Sequence, residues 1–238
     1  MNTEQTAEKL TAWIKEKVLA AGCKGCVLGL SGGIDSAVAS VLCKRAFPDS
    51  TLGLVLPCHS APEDEAHTLL LARKFSIPTH KVELDPLFDS LVKSLPDAGD
   101  CRLAVANLKA RLRMLTMYYF ANMLKYLVVG SSDRSEIAVG YFTKYGDGGS
   151  DIMPLGNLLK GQVRELAGFL GVPREIISKP PSPGLWTGQT AEGELGLSYA
   201  EIDRYLLTGE APPEVKKRIE ALIAGSSHKR CLPPIAEV

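Results

Sequence analysis

The run Val27-Leu28-Gly29-Leu30-Ser31-Gly32-Gly33-Ile34-Asp35-Ser36 passes directly into the small, apolar Ala37-Val38-Ala39-Ser40-Val41-Leu42. A short apolar strand, a Ser/Gly loop and a helix start, in that order, aim free backbone N–H groups and the positive end of a helix dipole at one point. The stretch reads as a phosphate cradle at the carboxyl edge of a parallel sheet, where ligands of such sheets bind. The plainer alternative is a Gly-rich strand-to-helix turn with Ser31 as its N-cap.

Two familiar phosphate loops do not fit. Gly29, Gly32 and Gly33 lack the Gly-x-Gly-x-x-Gly spacing of a dinucleotide fingerprint, and no Lys precedes Lys44 here to complete a Gly-Lys-Ser/Thr P-loop. Ser31-Gly32-Gly33-Ile34-Asp35-Ser36 instead resembles the pyrophosphate loop of the N-type ATP pyrophosphatases, which split ATP between its α and β phosphates. Without a P-loop Lys, neutralising the phosphates falls to hydroxyls, amides, a metal ion and remote basic residues. Asp35 is then a candidate metal ligand.

The rest of the chain supplies the sheet that such a loop needs. Apolar periodicity predicts a helix over residues 6–21, strands at 26–30, 51–56, 79–84 and 127–130, and helices at 34–46, 62–75, 86–95, 101–126 and 157–170. Strand alternating with helix at this spacing argues for an α/β fold, a doubly wound parallel sheet with helices on both faces. Ser131-Ser132-Asp133-Arg134-Ser135-Glu136 then leaves the same sheet edge as the cradle, so Glu136 can approach Asp35. Two carboxylates meeting triphosphate oxygens make a hard-oxygen site suited to Mg²⁺. If no ion were held there, Asp35 would serve as a helix cap.

Four further segments carry chemistry or mark mobility. Residues 107–114 combine Lys109, Arg111 and Arg113 with an apolar stripe on a helix long enough for a dimer contact, although from these residues alone a core-packed helix with a merely solvated basic face is the favoured reading. Residues 140–151 are a loop rich in Gly, Tyr and Phe whose rings can stack on a heteroaromatic group. Residues 179–190 are too long and too rich in Pro and Gly for a connector, and read as a mobile segment or lid. After short helices at 199–207 and 213–224 comes His228-Lys229-Arg230, a positive spot that in isolation reads as a solvated tail.

Composition narrows the partners. Lys+Arg and Asp+Glu balance at 27 each over 238 residues, so no overall basic field draws the chain to nucleic acid or an anionic membrane. Met1-Asn2-Thr3-Glu4-Gln5 has neither the basic nor the apolar part of a secretion signal, and the expected location is cytoplasmic. Of the six cysteines only Cys23 and Cys26 have a metal-like spacing, with no second pair, so reduced thiols are expected.

Taken in order, Ser31 to Ser36, residues 107–114, residues 140–151, Pro154-Leu155, Lys160, Gly188-Gln189-Thr190, Glu194-Leu195-Gly196 and His228-Lys229-Arg230 resemble the ammonia-type NAD synthetases. Those enzymes amidate nicotinic acid adenine dinucleotide (deamido-NAD), and the resemblance runs from about Leu10 to the end of the chain. It implies one domain over 1–238, with the lid loop, short helices and basic tail in 180–238. The implied fold is adenine nucleotide alpha hydrolase-like and Rossmann-like, in three layers α/β/α.

Carried onto this sequence, the resemblance implies ATP as co-substrate at Gly29, Ser31, Gly32, Gly33, Ile34, Asp35, Ser36, Arg111, Ser131, Ser132, Lys160 and Ser182, and Mg²⁺ on Asp35 and Glu136. Arg111, Phe142, Lys144, Asp147, Asp151, His228 and Lys229 would lie near the dinucleotide, with Asp35, Lys160 and Asp151 as the catalytic set. His228 and Lys229 are also expected near the phosphates or the adenylate. The implied assembly is a homodimer whose substrate site draws on both subunits. Two loops depart from the family's usual wording: Asp133 and Arg134 stand where it often has Asn and Lys, and Ala191 and Gly193 replace two carboxylates. Another ATP pyrophosphatase would share the cradle without residues 140–151, and a nucleotide sensor would not need Glu136 or Lys160.

Overall fold

A computed structural model describes residues 1–186 and 188–237; Thr187, within the stretch read as a lid, lies outside the described residues. Four parallel strands, β1 (Gly25–Gly29), β2 (Thr51–Val55), β3 (Thr79–Lys81) and β4 (Tyr126–Val128), form a sheet of order β3-β2-β1-β4. An isolated parallel bridge from Val129 to Ile152 extends it by one step beyond β4. The chain leaves β1 toward β2 and β3, then returns to β4 on the opposite side of β1. That reversal opens a crevice beyond the carboxyl ends of β1 and β4, the place where open α/β sheets bind ligands.

Side-chain alternation explains why helices cover both faces. On β1, Cys26 and Leu28 are buried with α1 (Thr3–Ala20), α2 (Ile34–Ala46) and α7 (Lys160–Leu170), whereas Val27 is buried on the other face with α4 (Asp85–Ser94) and α5 (Arg102–Leu124). β3 is shorter than its apolar pattern suggests. It is an edge strand, and past Lys81 only alternate amides still bond β2's side, Val82 N–H to Val55 and Leu84 N–H to Pro57.

Beyond α3 (Pro62–Phe75) on the first face, short helices complete the chain: α6 (Arg134–Val139), α8 (Arg174–Ser178), α9 (Ala191–Leu195), α10 (Tyr199–Thr208) and α11 (Pro213–Gly225). Val139, Leu195, Leu197, Ile202 and Ile219 join α6, α9, α10 and α11 in a separate small core, whereas Ile176 of α8 is buried with the first face of the sheet. Residues 131–136 read as a loop leaving the fourth strand, yet residues 134–139 are helical: Asp133 and Glu136 form a reciprocal capping box that starts α6 without a long apolar stripe. Among the described residues no helix is long and apolar enough to cross a membrane.

Candidate active site

The cradle is shaped by its own hydroxyls. Ser31 Oγ accepts from Gly33 N–H at 3.2 Å and lies 3.0 Å from Ser36 Oγ, which accepts from Ser31 N–H at 3.2 Å and donates to Gly33 O at 3.1 Å. Gly33, not Ser31, is the N-cap of α2. The first-turn amides of Ile34, Asp35 and Ser36 have no acceptor within the helix and are left for an anion. Gly32 has φ +74°, and a Cβ there would sit 2.4 Å from Asp64 O in the first turn of α3, so only glycine fits.

Three helix N-termini meet at this edge. Asp35 stands in the first turn of α2, Glu136 in that of α6, and Lys160 is the first residue of α7. The Lys160 ammonium is fully buried and donates to Asp35 Oδ2 and Glu136 Oε1, each at 2.8 Å, with Asp133 Oδ2 at 3.1 Å. The Tyr199 ring lies 4.7 Å from that ammonium, and the Tyr199 hydroxyl donates to Glu136 Oε1 at 3.1 Å. Asp133 Oδ1 is occupied by the Glu136 N–H at 2.8 Å. Among the described residues Asp35 Oδ1 is buried without a hydrogen-bond partner, and Asp133 Oδ2 has only the Lys160 ammonium beside it.

The charges push on one another. Burial and the neighbouring Asp35 and Asp133 carboxylates drive Glu136 above the usual carboxylate range against the pull of Lys160. Asp133 is raised by burial and by Asp35, with Lys160 opposing. Burial works against the Lys160 charge too, but Asp35, Glu136 and Asp133 outweigh it and hold the amine well above the ordinary lysine range. A fully buried cation with three carboxylates leaves excess negative charge ready for a second cation.

Lys160 is held by groups from outside its own helix. Leu159, at the N-cap, has no side-chain acceptor, and the task passes to Asp203 of α10. Asp203 Oδ2 accepts from Gly161 N–H at 2.8 Å, and its Oδ1 accepts from Ser135 Oγ at 2.5 Å. Ser135 Oγ in turn accepts the Lys160 N–H at 3.2 Å.

The 140–151 loop lies on α5. Thr143 Oγ1 donates to Asn107 Oδ1 at 2.7 Å, Asp147 Oδ1 accepts from Thr143 N–H at 2.9 Å, and Arg111 reaches Lys144 O at 3.4 Å. Asp151 accepts from the Tyr118 hydroxyl at 2.9 Å and from Val128 N–H at 2.8 Å, tying the loop to the end of β4. The tail cations go largely to backbone. Lys229 Nζ donates to Gly140 O and Phe142 O, both at 2.9 Å, and faces the Phe142 ring at 5.4 Å. Lys144 Nζ donates to His228 O at 2.8 Å, and Arg230 donates to Ile137 O, Ala138 O, Ile223 O and Ser226 Oγ.

The proline-rich stretch is strapped across the opening. Lys179 pairs with Asp64, Lys109 Nζ donates to Leu185 O at 2.8 Å, and the Arg102 guanidinium lies 4.4 Å from the Trp186 ring. Ser182, exposed on the strap, accepts from Gly184 N–H at 3.1 Å; Ser131 and the buried Ser132 follow β4 at the sheet edge. Asp133, Ser135, Tyr199 and Asp203 escaped the sequence reading. Asp133-x-x-Glu136 and Ser198-x-x-Glu201 are visible capping-box signals, but nothing local points Tyr199 or Asp203 at Lys160.

Residues 6–233 match the family model for NAD synthase. The chain belongs to the NAD synthase family. Within it, the chain is 48% identical to an NH(3)-dependent NAD(+) synthetase of Syntrophomonas wolfei, with 100% of this chain and 98% of the relative covered. Among solved structures, an NMN synthetase from Francisella tularensis superposes with a TM-score of 0.95 at 35% identity, and an NH3-dependent NAD synthetase from Campylobacter jejuni with 0.86 at 28%, each covering 100% of both chains.

Proposed function

We propose that this chain is an ammonia-dependent NAD synthetase, a ligase that uses ATP to amidate the nicotinate carboxyl of deamido-NAD, giving NAD, AMP and pyrophosphate. The observation that carries this reading is the Lys160 ammonium, buried among Asp35, Asp133 and Glu136 where the phosphate cradle ends. A carboxylate is a poor electrophile. Its oxygen attacks the α-phosphorus of ATP, the bond to the β-phosphate oxygen breaks, and an acyl adenylate forms. Lys160 and the first-turn amides of α2 meet the charge that develops on the departing pyrophosphate. Ammonia then attacks the activated carbonyl and AMP leaves, so no nucleophilic side chain is required.

Mg²⁺ fits the acidic face of this site, because Asp35 Oδ1 is a buried hard oxygen without a hydrogen-bond partner among the described residues. Asp35 and Glu136 would hold it. Among the described residues no three His, Cys, Asp or Glu side chains close into a metal cage, so nucleotide oxygens and water would complete the shell. When bound, the ion would withdraw charge from the phosphate oxygens.

On the acceptor side, Phe142, Lys144 and Arg111 are assigned to the dinucleotide, with Asp151 holding the loop to β4. Exposed Leu115, Tyr119 and Met123, four residues apart on α5, make an apolar stripe that suits a homodimer. Sedimentation should then show a dimer that Leu115→Glu with Tyr119→Glu converts to monomer; a monomeric parent chain would end that assignment.

Formation of NAD, AMP and pyrophosphate from ATP, ammonium and deamido-NAD tests the main reading, and activity with ammonia-free glutamine as sole nitrogen donor contradicts it. A second reading, a mononucleotide acceptor, is favoured by the closer superposition on the NMN synthetase. Nicotinic acid mononucleotide amidated faster than deamido-NAD at equal concentration would select it.

A further inference from the structure

Tyr199 is completely buried, yet the reaction as described has no use for it. It is the first residue of α10, which follows the strap and α9, and its side chain reaches back to the sheet edge. Its hydroxyl donates to the same oxygen, Glu136 Oε1, that accepts from Lys160, while its ring faces the Lys160 ammonium. Phenylalanine would fill nearly the same volume without a polar atom to bury. Retaining a phenol there brings a desolvation cost that only the bond to Glu136 offsets. The backbone N–H of Tyr199 donates to Glu192 Oε1 at 2.9 Å on α9, so its position is tied to the segment after the strap as well.

We propose that Tyr199 is a positioning residue for adenylation: its hydroxyl fixes the Glu136 carboxylate and its ring seats the Lys160 ammonium, joining the helices after the strap to the phosphate site. A negative ring face suits an ammonium, and a hydroxyl shared with its acceptor limits the rotation of Glu136. The inference rests on the assignment of the Lys160 cluster to adenylation.

Tyr199→Phe keeps the ring and removes only the hydroxyl. Turnover measured as AMP release should fall about tenfold, the order of one lost positioning hydrogen bond, with the KM for deamido-NAD unchanged. Tyr205→Phe removes a hydroxyl from the same helix that bonds Glu220 at the surface, and should leave turnover unchanged. Glu136→Asp withdraws the carboxylate from the phenol, so adding Tyr199→Phe to it should change neither turnover nor calorimetric affinity for Mn²⁺·ATP by more than about twofold. Full turnover in Tyr199→Phe, a loss matched by its drop in folded fraction, or full additivity with Glu136→Asp would each overturn the inference. A parent chain that releases no AMP would instead overturn the synthetase reading beneath it.

Discussion

The two sides of the crevice use the same cations in opposite ways. On one side, Lys160 meets three carboxylates and gathers them into a single charged cluster at the end of the cradle. On the acceptor side, Lys229 and Arg230 spend most of their donors on main-chain carbonyls, and so shape the turn that carries Tyr141 and Phe142. A basic residue near a nucleotide site is therefore not by that fact a phosphate ligand. What its donors already hold decides whether it contributes charge or shape, and the two contributions should separate in kinetics.

The sharpest break would come at Lys160. Lys160→Met leaves three carboxylates without their cation, which should cost about 3–5 kcal/mol of stability and abolish AMP release. Thermal melting and pyrophosphate release measure the two losses together, and a variant with normal turnover would remove charge as the organising idea of the phosphate side. Asp35→Asn, with its smaller electrostatic change, should keep the fold while lowering turnover about 10²-fold or more and weakening the Mg²⁺ dependence. Unaltered Mg²⁺ dependence would place the ion elsewhere.

Lys229→Met tests the shaping side. Losing two charge-assisted bonds of about 1.5–3 kcal/mol each should loosen the 140–142 turn and raise the KM for deamido-NAD at least tenfold, with the KM for ATP nearly unchanged. The reverse pattern, a raised KM for ATP alone, would show that the tail serves the phosphates and would collapse the distinction. Arg111→Ala should act in the same direction. Its single 3.4 Å bond to Lys144 O is weak, so a loss of tenfold or more in acceptor affinity would report a direct contact with the acceptor's own pyrophosphate.

The smallest effect expected is one of pH on the free protein. Glu136 is raised by burial and by its acidic neighbours, so the folded chain holds a proton there that the unfolded chain has released. Between the ordinary glutamate range and the raised one, the native state binds more protons, and stability falls as pH rises. The melting temperature should therefore decline from pH 5 toward alkaline pH through this contribution, and Glu136→Gln should flatten the slope. An unchanged slope in that variant would assign the dependence to other groups.

Much of the phosphate side was legible in the residues themselves. The Ser31-Gly32-Gly33 loop, the alternation of strands and helices and the parallel sheet follow from local pattern, because burial periodicity and glycine conformation are short-range constraints. The approach of Glu136 to Asp35 follows from sheet order. Lys160 came from resemblance alone, and its three carboxylates are seen only once α2, α6 and α7 converge.

What the tertiary structure decided is which partner each polar group found. Asp203 caps a helix whose own N-cap is Leu159, and Tyr199 reaches Glu136 from the first turn of α10. Arg230 holds carbonyls of α6 that lie more than ninety positions earlier in the chain. None of these residues sits in a pattern that distinguishes it from a solvated polar side chain. Hydrophobic periodicity specifies which face of an element is buried, whereas a hydrogen bond depends on distance and angle between groups whose separation is set only when several faces pack at once. The sequence by itself determined the cradle and the sheet that presents it; packing of the remote helices decided the charges and supports that surround it.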